Sequence, residues 1–310
     1  TRMVWVFSAS TLLAVTLAGS AAYLSGGWPT RFEPNPLAAT AQPTSKREAC
    51  HATGEDYLDP AQACRYYGPD VTWATLGDSH IAELSEALAD RLQPLGQGVL
   101  HLSFSACPPA YSFETITAGC HNWLREAVET VVDDPGVENV IVGFRHVYYL
   151  YGNHAALYPR LPSGHPKRFM LRPGDISEDE AHAIYWQGYA DIIDALLAAG
   201  KRVFVLKPVP EVPTDIRRAI HPYSVFQDRP LLDLERSLPV SYYEQRNAFI
   251  LRKMSQLPFG NRLVLLDPTL VLCDDEFCRT VIDGETMYFD DDHLSVAGAR
   301  RLVALLEPFL

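Results

Sequence analysis

The chain has 310 residues, 47% hydrophobic and 21% charged, with a formal net charge of -12. That composition supports a folded domain with a sizeable core and excludes global disorder. The acidity excludes a nucleic-acid binder, which would need basic patches facing phosphates.

From Met3 to Thr30 no residue is charged, and Arg2 and Arg31 flank the stretch. Residues 3–24 are long enough for a helix across a bilayer. Trp5 and Trp28 stand near its ends, where interfacial aromatics are favoured. Residues 1–28 are therefore read as a transmembrane helix; the alternative is a cleaved signal peptide with small residues near Ala18–Ala22 as its cleavage site. Either reading exports the rest of the chain. The chain starts with Thr rather than Met, which suggests a piece of something longer. Residues 29–69 read as a linker and lead-in, with Pro29, Pro34, Pro36 and Pro43 and few large apolar side chains to bury. A catalytic domain is expected over 70–310.

All six cysteines, Cys50, Cys64, Cys107, Cys120, Cys273 and Cys278, come after the membrane segment. An even number in an exported chain suits disulfides, and pairing of neighbours (50–64, 107–120, 273–278) is the simplest connectivity. No Cys-x-x-Cys and no Cys/His cluster has zinc-finger spacing, so no metal is expected on cysteine.

Beyond residue 70 strands and helices alternate. Residues 71–79 read as a buried strand ending in a tight turn, and 81–92 carry a helical apolar stripe at Ile81, Leu84, Leu88 and Leu92. Further strands are expected at 98–104, 139–144, 201–210 and 262–268, and further helices at 123–132, 178–199 (stopped by Gly200), 242–256 and 296–306. This is the pattern of a parallel α/β sheet with helices on both faces, which places ligands at the carboxyl ends of its strands. Residues 148–173 form a long loop of the kind that is often functional. Trp73 and Trp186 are assigned to the core.

Two motifs carry chemistry. Gly77-Asp78-Ser79-His80 comes directly after the first strand. A nucleophilic serine needs such a turn and a following helix whose N–H groups face an oxyanion; Asp or Ser in that place is also an ordinary helix cap. The second motif is Asp290-Asp291-Asp292-His293-Leu294-Ser295. His293 can take the serine proton, and Asp290, three residues earlier, can orient the imidazole. Three consecutive aspartates also fit a solvated loop, a capping cluster or a calcium loop, though without EF-hand spacing.

In this order and spacing the two motifs resemble the SGNH/GDSL hydrolase superfamily, over about residues 71–310. The phrases LGDSH, HLSFSACPP and YFDDDHLSVAGAR, with GGWPTRF at the end of the apolar helix, resemble the SGNH domains fused to the C-terminus of membrane acyltransferase family 3 proteins. The resemblance implies a flavodoxin-like three-layer α/β/α fold with a five-stranded parallel sheet, preceded by one transmembrane helix. It implies Ser79 as nucleophile, with Asp290 and His293 completing a triad. The superfamily's third block usually offers Gly-x-Asn-Asp; here that place reads Gly143-Phe144-Arg145-His146, and Asn153 comes too late to substitute. The backbone N–H of Ser79 is then the first oxyanion donor and the turn at Ala106 a second. Gly143, Arg145, Asp78 and His80 are further oxyanion or substrate-binding candidates. Arg145 reads equally as a structural ion pair, and His80 as a structural residue. Tyr148, Tyr149 and Tyr151 read as sugar-stacking residues or as cover for the core. His101, His121, His154 and His165 show no partner pattern.

The function implied is O-acyl transfer, most simply O-acetyl transfer, to hydroxyls of a cell-surface glycan through an acyl-serine. The site would lie on the periplasmic side of a bacterial inner membrane. No cofactor is required of this domain; acetyl-CoA would be the ultimate donor, through a fused or associated membrane acyltransferase domain. The alternatives are a membrane-anchored carbohydrate esterase and a non-catalytic glycan-binding domain.

Overall fold

A computed structural model of the chain describes residues 2–25, 36–54, 57–68, 70–152, 158–161, 176–220 and 237–310. The expectations for Trp28, Asn153, His154 and His165 lie outside the described residues. The chain divides into two units, Thr1–Pro36 and Leu37–Leu310.

In the first unit helix α1 (Arg2–Leu24) is long and apolar enough to cross a membrane, and its span Trp5–Leu24 has no buried residue. Three of its hydroxyls are satisfied within the helix: Ser10, Thr11 and Thr16 donate to the carbonyls of Val6, Phe7 and Leu12 at 2.8–2.9 Å. That is the arrangement an apolar surrounding demands of a polar side chain.

The second unit runs α2 (Leu37–Thr40), α3 (Arg47–Cys50), β1 (His51–Ala52), β2 (Arg65–Tyr66), β3 (Asp70–Gly77), α4 (Ala82–Leu92), β4 (Gln97–Phe104), α5 (Cys120–Asp133), β5 (Asn139–Gly143), α6 (His146–Tyr151) and α7 (Glu178–Ala198). It continues with β6 (Arg202–Leu206), α8 (Ile216–Ile220), β7 (Leu238–Pro239), α9 (Val240–Arg246), α10 (Ala248–Met254), β8 (Leu263–Leu266), α11 (Thr269–Leu272) and α12 (Val296–Val303). The five strands read from the sequence form the parallel row β4-β3-β5-β6-β8. Two short strands extend the expected five: β1 pairs parallel, and β2 antiparallel, with β4. Two-residue strands carry too little alternation to be seen in a sequence.

The central parallel strands are buried on both faces, which explains their continuous apolar runs, while the edge strand β8 leaves Leu265 exposed. Side-chain alternation divides the core. Ala74, Leu76, Val140, Val142, Val203 and Val205 join α5 and α7 on one face. Trp73, Ile141, Phe204 and Leu206 join α4 and α12 on the other. Trp186 is half-buried at the edge of the first cluster.

The lead-in is more ordered than its composition suggests. Ala41, Cys50 and Ala52 are buried, the Thr286 N–H donates to Thr40 Oγ1 at 2.9 Å, and the Val296 N–H donates to Gln42 O at 3.3 Å. The compact unit thus begins well before residue 70. The helix expected over 242–256 is two, α9 and α10, parted at Asn247, whose side-chain amide donates to Tyr243 O at 2.9 Å. Such side chains compete with the backbone for helical carbonyls. All three neighbour disulfides form.

Candidate active site

The site is assembled at the carboxyl ends of β3, β4 and β5. Gly77 closes β3 against Gly143 at the end of β5: a Cβ on Gly77 would sit 1.7 Å from Gly143 O. Asp78 comes next, buried, and its carboxylate gathers three donors. Its Oδ1 accepts the His80 N–H at 3.0 Å, capping the 3-10 turn Ser79–Ile81 that leads into α4. Its Oδ2 accepts the Arg145 N–H at 2.7 Å and the Tyr149 hydroxyl at 2.8 Å. The capping reading of this motif therefore holds for Asp78, while Ser79 stays half-exposed with its hydroxyl turned to His293.

The second motif is shaped by local hydrogen bonds. Tyr288 and Leu294 bridge antiparallel, and the Phe289 N–H donates to His293 O at 3.1 Å, closing the loop between them. Asp290 Oδ1 accepts the N–H groups of Asp292 (3.0 Å) and His293 (2.7 Å), an Asx-type turn. This leaves Asp290 Oδ2 2.9 Å from His293 Nδ1, and His293 Nε2 stands 2.8 Å from Ser79 Oγ. Ser295 caps α12 directly behind, accepting the Gly298 N–H at 3.1 Å. The Phe289 ring stacks on the imidazole at 5.3 Å and 14°. Burial pushes the His293 imidazole down, but the Asp292 charge and the hydrogen bond and charge of Asp290 outweigh it, so its net shift is upward.

A second, buried row of charge lies beneath this one. Asp292 Oδ2 is 3.0 Å from His80 Nε2, 3.1 Å from Arg145 Nη1 and 3.3 Å from His293 Nδ1. Arg145 Nε donates to Glu211 Oε1 at 2.7 Å, and Glu211 Oε2 takes Arg246 Nη2 at 2.9 Å. Burial raises the carboxyls of Asp292 and Glu211. The groups around them (His293, His80 and Arg145 for Asp292; Arg145 and Arg246 for Glu211) outweigh it and hold both below the usual range. For Asp291, burial and its two aspartate neighbours outweigh the Arg145 charge and push the carboxyl up to about 6. Asp290, Asp291 and Asp292, and likewise His80, Asp292 and His293, come close enough to hold a cation. Asp290 and Asp292 already face imidazole and guanidinium groups, with which a cation would have to compete.

Among the oxyanion candidates, the turn after β4 is specific. Ser105 N–H donates to Ala52 O at 2.8 Å and Cys107 N–H to Phe104 O at 3.3 Å. Ala106 lies between them at φ 51 and exposed. Its N–H is the one of the three that these bonds leave uncommitted. Asp78, His80 and Gly143, expected to face substrate, belong to the scaffold instead. Asp78 and His80 are buried and bonded as above, and Gly143 O accepts the Asp78 N–H at 3.3 Å. Arg145 is engaged as an ion pair, with its guanidinium 5.0 Å from the ring of half-buried Tyr148. Tyr149 is core; Tyr151 is half-buried against His182.

Among the described residues, His101 and His121, which have no sequence pattern, find structural partners. Tyr66 OH, His101, Ser103 Oγ and His51 Nδ1 form a buried row with contacts of 2.6–2.7 Å, and burial holds both imidazoles down at about 3. His121 Nδ1 contacts Ala110 O at 2.8 Å. The sequence reading missed Glu211, Arg246, Phe289 and Arg47, and gave Asp292 no role of its own within the acidic run. Glu211 carried a usable signal, since it lies just beyond the carboxyl end of a parallel strand; Arg47 carried none, lying in a stretch read as linker.

A doubly covered parallel sheet, with a Ser–His–Asp row built from its first strand and its last loop, defines an SGNH-type α/β protein. The chain belongs to the family described as the SGNH domain (fused to AT3 domains), whose sequence pattern matches residues 49–308. Its fold is similar to the periplasmic domain of the lipopolysaccharide acetyltransferase of Salmonella ser. Paratyphi A, at 15% identity and TM-score 0.51, covering 77% of this chain and 83% of that one. An aryl esterase of M. smegmatis (14% identity, 77% and 97% covered, TM-score 0.41) and a carbohydrate acetylesterase of Sinorhizobium meliloti (13%, 77% and 97%, TM-score 0.41) are more distant in shape. No curated protein matches the chain.

Proposed function

We propose that the chain transfers O-acyl groups, most simply acetyl, to hydroxyls of a cell-surface glycan, with Ser79 as nucleophile. The observation that carries this is the continuous row Ser79 Oγ–His293 Nε2 (2.8 Å) and His293 Nδ1–Asp290 Oδ2 (2.9 Å) in a chain of the AT3-fused family. As Ser79 Oγ attacks the acyl carbon, its proton passes to His293 Nε2, and Asp290 stabilises the imidazolium. The imidazolium returns the proton to the leaving group, and an acyl-serine remains. An acceptor hydroxyl then gives its proton to His293 and attacks the acyl carbon, and Ser79 leaves with that proton. The N–H groups of Ser79 and Ala106 receive the oxyanion at each stage.

In this reading residues 1–28 anchor the protein in the bacterial inner membrane, with the site in the periplasm. An AT3 partner domain delivers acyl groups drawn from acetyl-CoA. The likeness in fold to the Salmonella domain suits it. The half-exposure of Ser79 favours a second reading, an esterase, because water reaches the same acyl-serine.

The test incubates the full chain in detergent, with and without Ser79→Ala, with an activated acetyl ester and a surface polysaccharide. Mass spectrometry tracks acetyl on protein, glycan and free acetate. Serine-dependent acetyl on the glycan supports transfer; free acetate alone, at a rate indifferent to glycan, supports the esterase.

A further inference from the structure

The geometry points to Arg47 as a positioning residue of this site: its guanidinium clamps the peptide of the nucleophile and backs the ring that stacks on the catalytic histidine. The inference rests on the reading of Ser79 and His293 above and extends it to a residue of the lead-in.

Arg47 opens the four-residue helix α3, whose last residue, Cys50, is bonded to Cys64. Its fork meets Glu83 on the first turn of α4, Nε to Oε1 at 2.9 Å and Nη2 to Oε2 at 2.6 Å, and the Glu83 side chain is only 2% exposed. The Thr44 N–H adds a third donor to Glu83 at 3.3 Å. The same Nη2 donates to Ser79 O at 3.1 Å, and that carbonyl also accepts the Ala82 N–H. Two donors on one carbonyl oxygen fix the peptide plane after Ser79, and with it the backbone from which the Ser79 side chain projects. On its other side the guanidinium lies 5.3 Å from the Phe289 ring, which stacks on His293. Guanidinium, phenyl and imidazole thus stand in sequence, a use of Arg that Lys does not reproduce.

The charge of Arg47 acts on the base as well. His293 is faced by Asp290 and Asp292 from its own loop, and by His80 from the nucleophile turn, ring to ring at 5.0 Å. Arg145 is paired to Asp292 at 3.1 Å from the β5 side, and the Arg47 charge acts on His293 from α3. Buried His51, held uncharged, also stands within its field. Burial lowers the imidazole and the carboxylates raise it; Arg47 is a cation that opposes them and helps keep Nε2 free to accept a proton.

The experiment measures acylation of the full-length chain by p-nitrophenyl acetate across pH, with melting temperatures, for wild type, R47Q/E83Q, Arg47→Lys and Ser79→Ala. The double variant removes both members of the pair, so no buried carboxylate is stranded. Its acylation is expected to fall roughly tenfold. Its acid limb is expected to move up by about half to one pH unit, because the cation opposing protonation of His293 is gone. Arg47→Lys keeps the charge: the limb stays, and the rate falls because an ammonium cannot hold Glu83 twice and Ser79 O together. If the double variant does not fold, Arg47→Lys decides, and a wild-type rate in it overturns the clamp. An inert Ser79→Ala beside an R47Q/E83Q protein of wild-type rate and pH profile overturns the clamp alone. A Ser79→Ala protein acylated as fast as wild type overturns the nucleophile, and the clamp with it.

Discussion

His80 Nε2 and Asp292 Oδ2 lie 3.0 Å apart, side by side in the buried floor of the site, and the same oxygen reaches His293 Nδ1 at 3.3 Å. His293 therefore stands between two carboxylates of unequal role. Asp290, at 2.9 Å, accepts the hydrogen bond of Nδ1–H; Asp292 supplies charge and ties the nucleophile turn to Arg145.

That inequality separates two substitutions. Asp290→Asn should lower kcat/KM by about a thousandfold or more, because the amide no longer holds the required tautomer. Asp292→Asn should lower it only on the order of tenfold. It should also move the acid limb to lower pH, since a charge that raises the imidazole is removed. Equal losses in the two variants would reverse the assignment.

The pH profile of the wild type rests on the same balance. The free base must be neutral to accept the Ser79 proton, and its net shift is upward. Activity should fall as pH drops through a midpoint above the ordinary imidazole value of about 6.5. A midpoint well below that value, in kcat/KM against pH, would contradict the two-carboxylate setting.

Glu211 joins Arg145 to Arg246 in the buried row. Its folded-state carboxyl is depressed, so the stability it contributes is present above the unfolded value and lost as pH falls below it. Glu211→Gln should therefore lose about 3–5 kcal/mol in denaturant melts at neutral pH. The difference from wild type should narrow below about pH 4.

Gly77 and Gly143 should respond differently to alanine. At Gly77 the new Cβ meets backbone, 1.7 Å from Gly143 O. At Gly143 it meets the side-chain ends of Leu206 (2.8 Å) and Ile81 (2.9 Å), which can give. Gly143→Ala should lose roughly 1–3 kcal/mol by overpacking. Gly77→Ala should lose more and also separate Ser79 from His293. Thermal melts of both variants check this.

The Cys107–Cys120 bridge closes a loop that starts directly after Ala106, over a sequence separation of 13. Replacing both cysteines by alanine should lower stability by about 3 kcal/mol, through the freedom returned to the unfolded chain. If Ala106 is the second oxyanion donor, acylation should fall further than the melting shift explains. Rates measured well below the melting temperature separate the two effects.

The parallel sheet and the pair of motifs were legible because each rests on local signals. Apolar runs such as 139–144 need no partner to be recognised, and Asp290 reaches His293 within a single turn. Within the acidic run at 290–292 the spacing to His293 singled out Asp290, while Asp291 and Asp292 were legible only as composition. One of these two is pushed up to about 6, and the other is held down by two imidazoles and a guanidinium. Nothing in two identical letters separates them. Asp78 and His80 were expected toward substrate because they flank Ser79. Their inward turn depends on Arg145, Tyr149 and Asp292, far along the chain.

The sequence by itself determined the α/β order and the apolar N-terminal helix, singled out Ser79, Asp290 and His293 as a candidate set, and left neighbour pairing of the cysteines as the simplest of several connectivities. Periodicity, short loops and motif order are properties of adjacent residues. Only the tertiary structure decided that the lead-in belongs to the catalytic unit, that Arg47 grips Ser79, and that Glu211, Arg145 and Asp292 form one buried row. Those contacts join segments tens to hundreds of residues apart. They are set by where a twisted sheet brings its strand ends together, which no local pattern encodes.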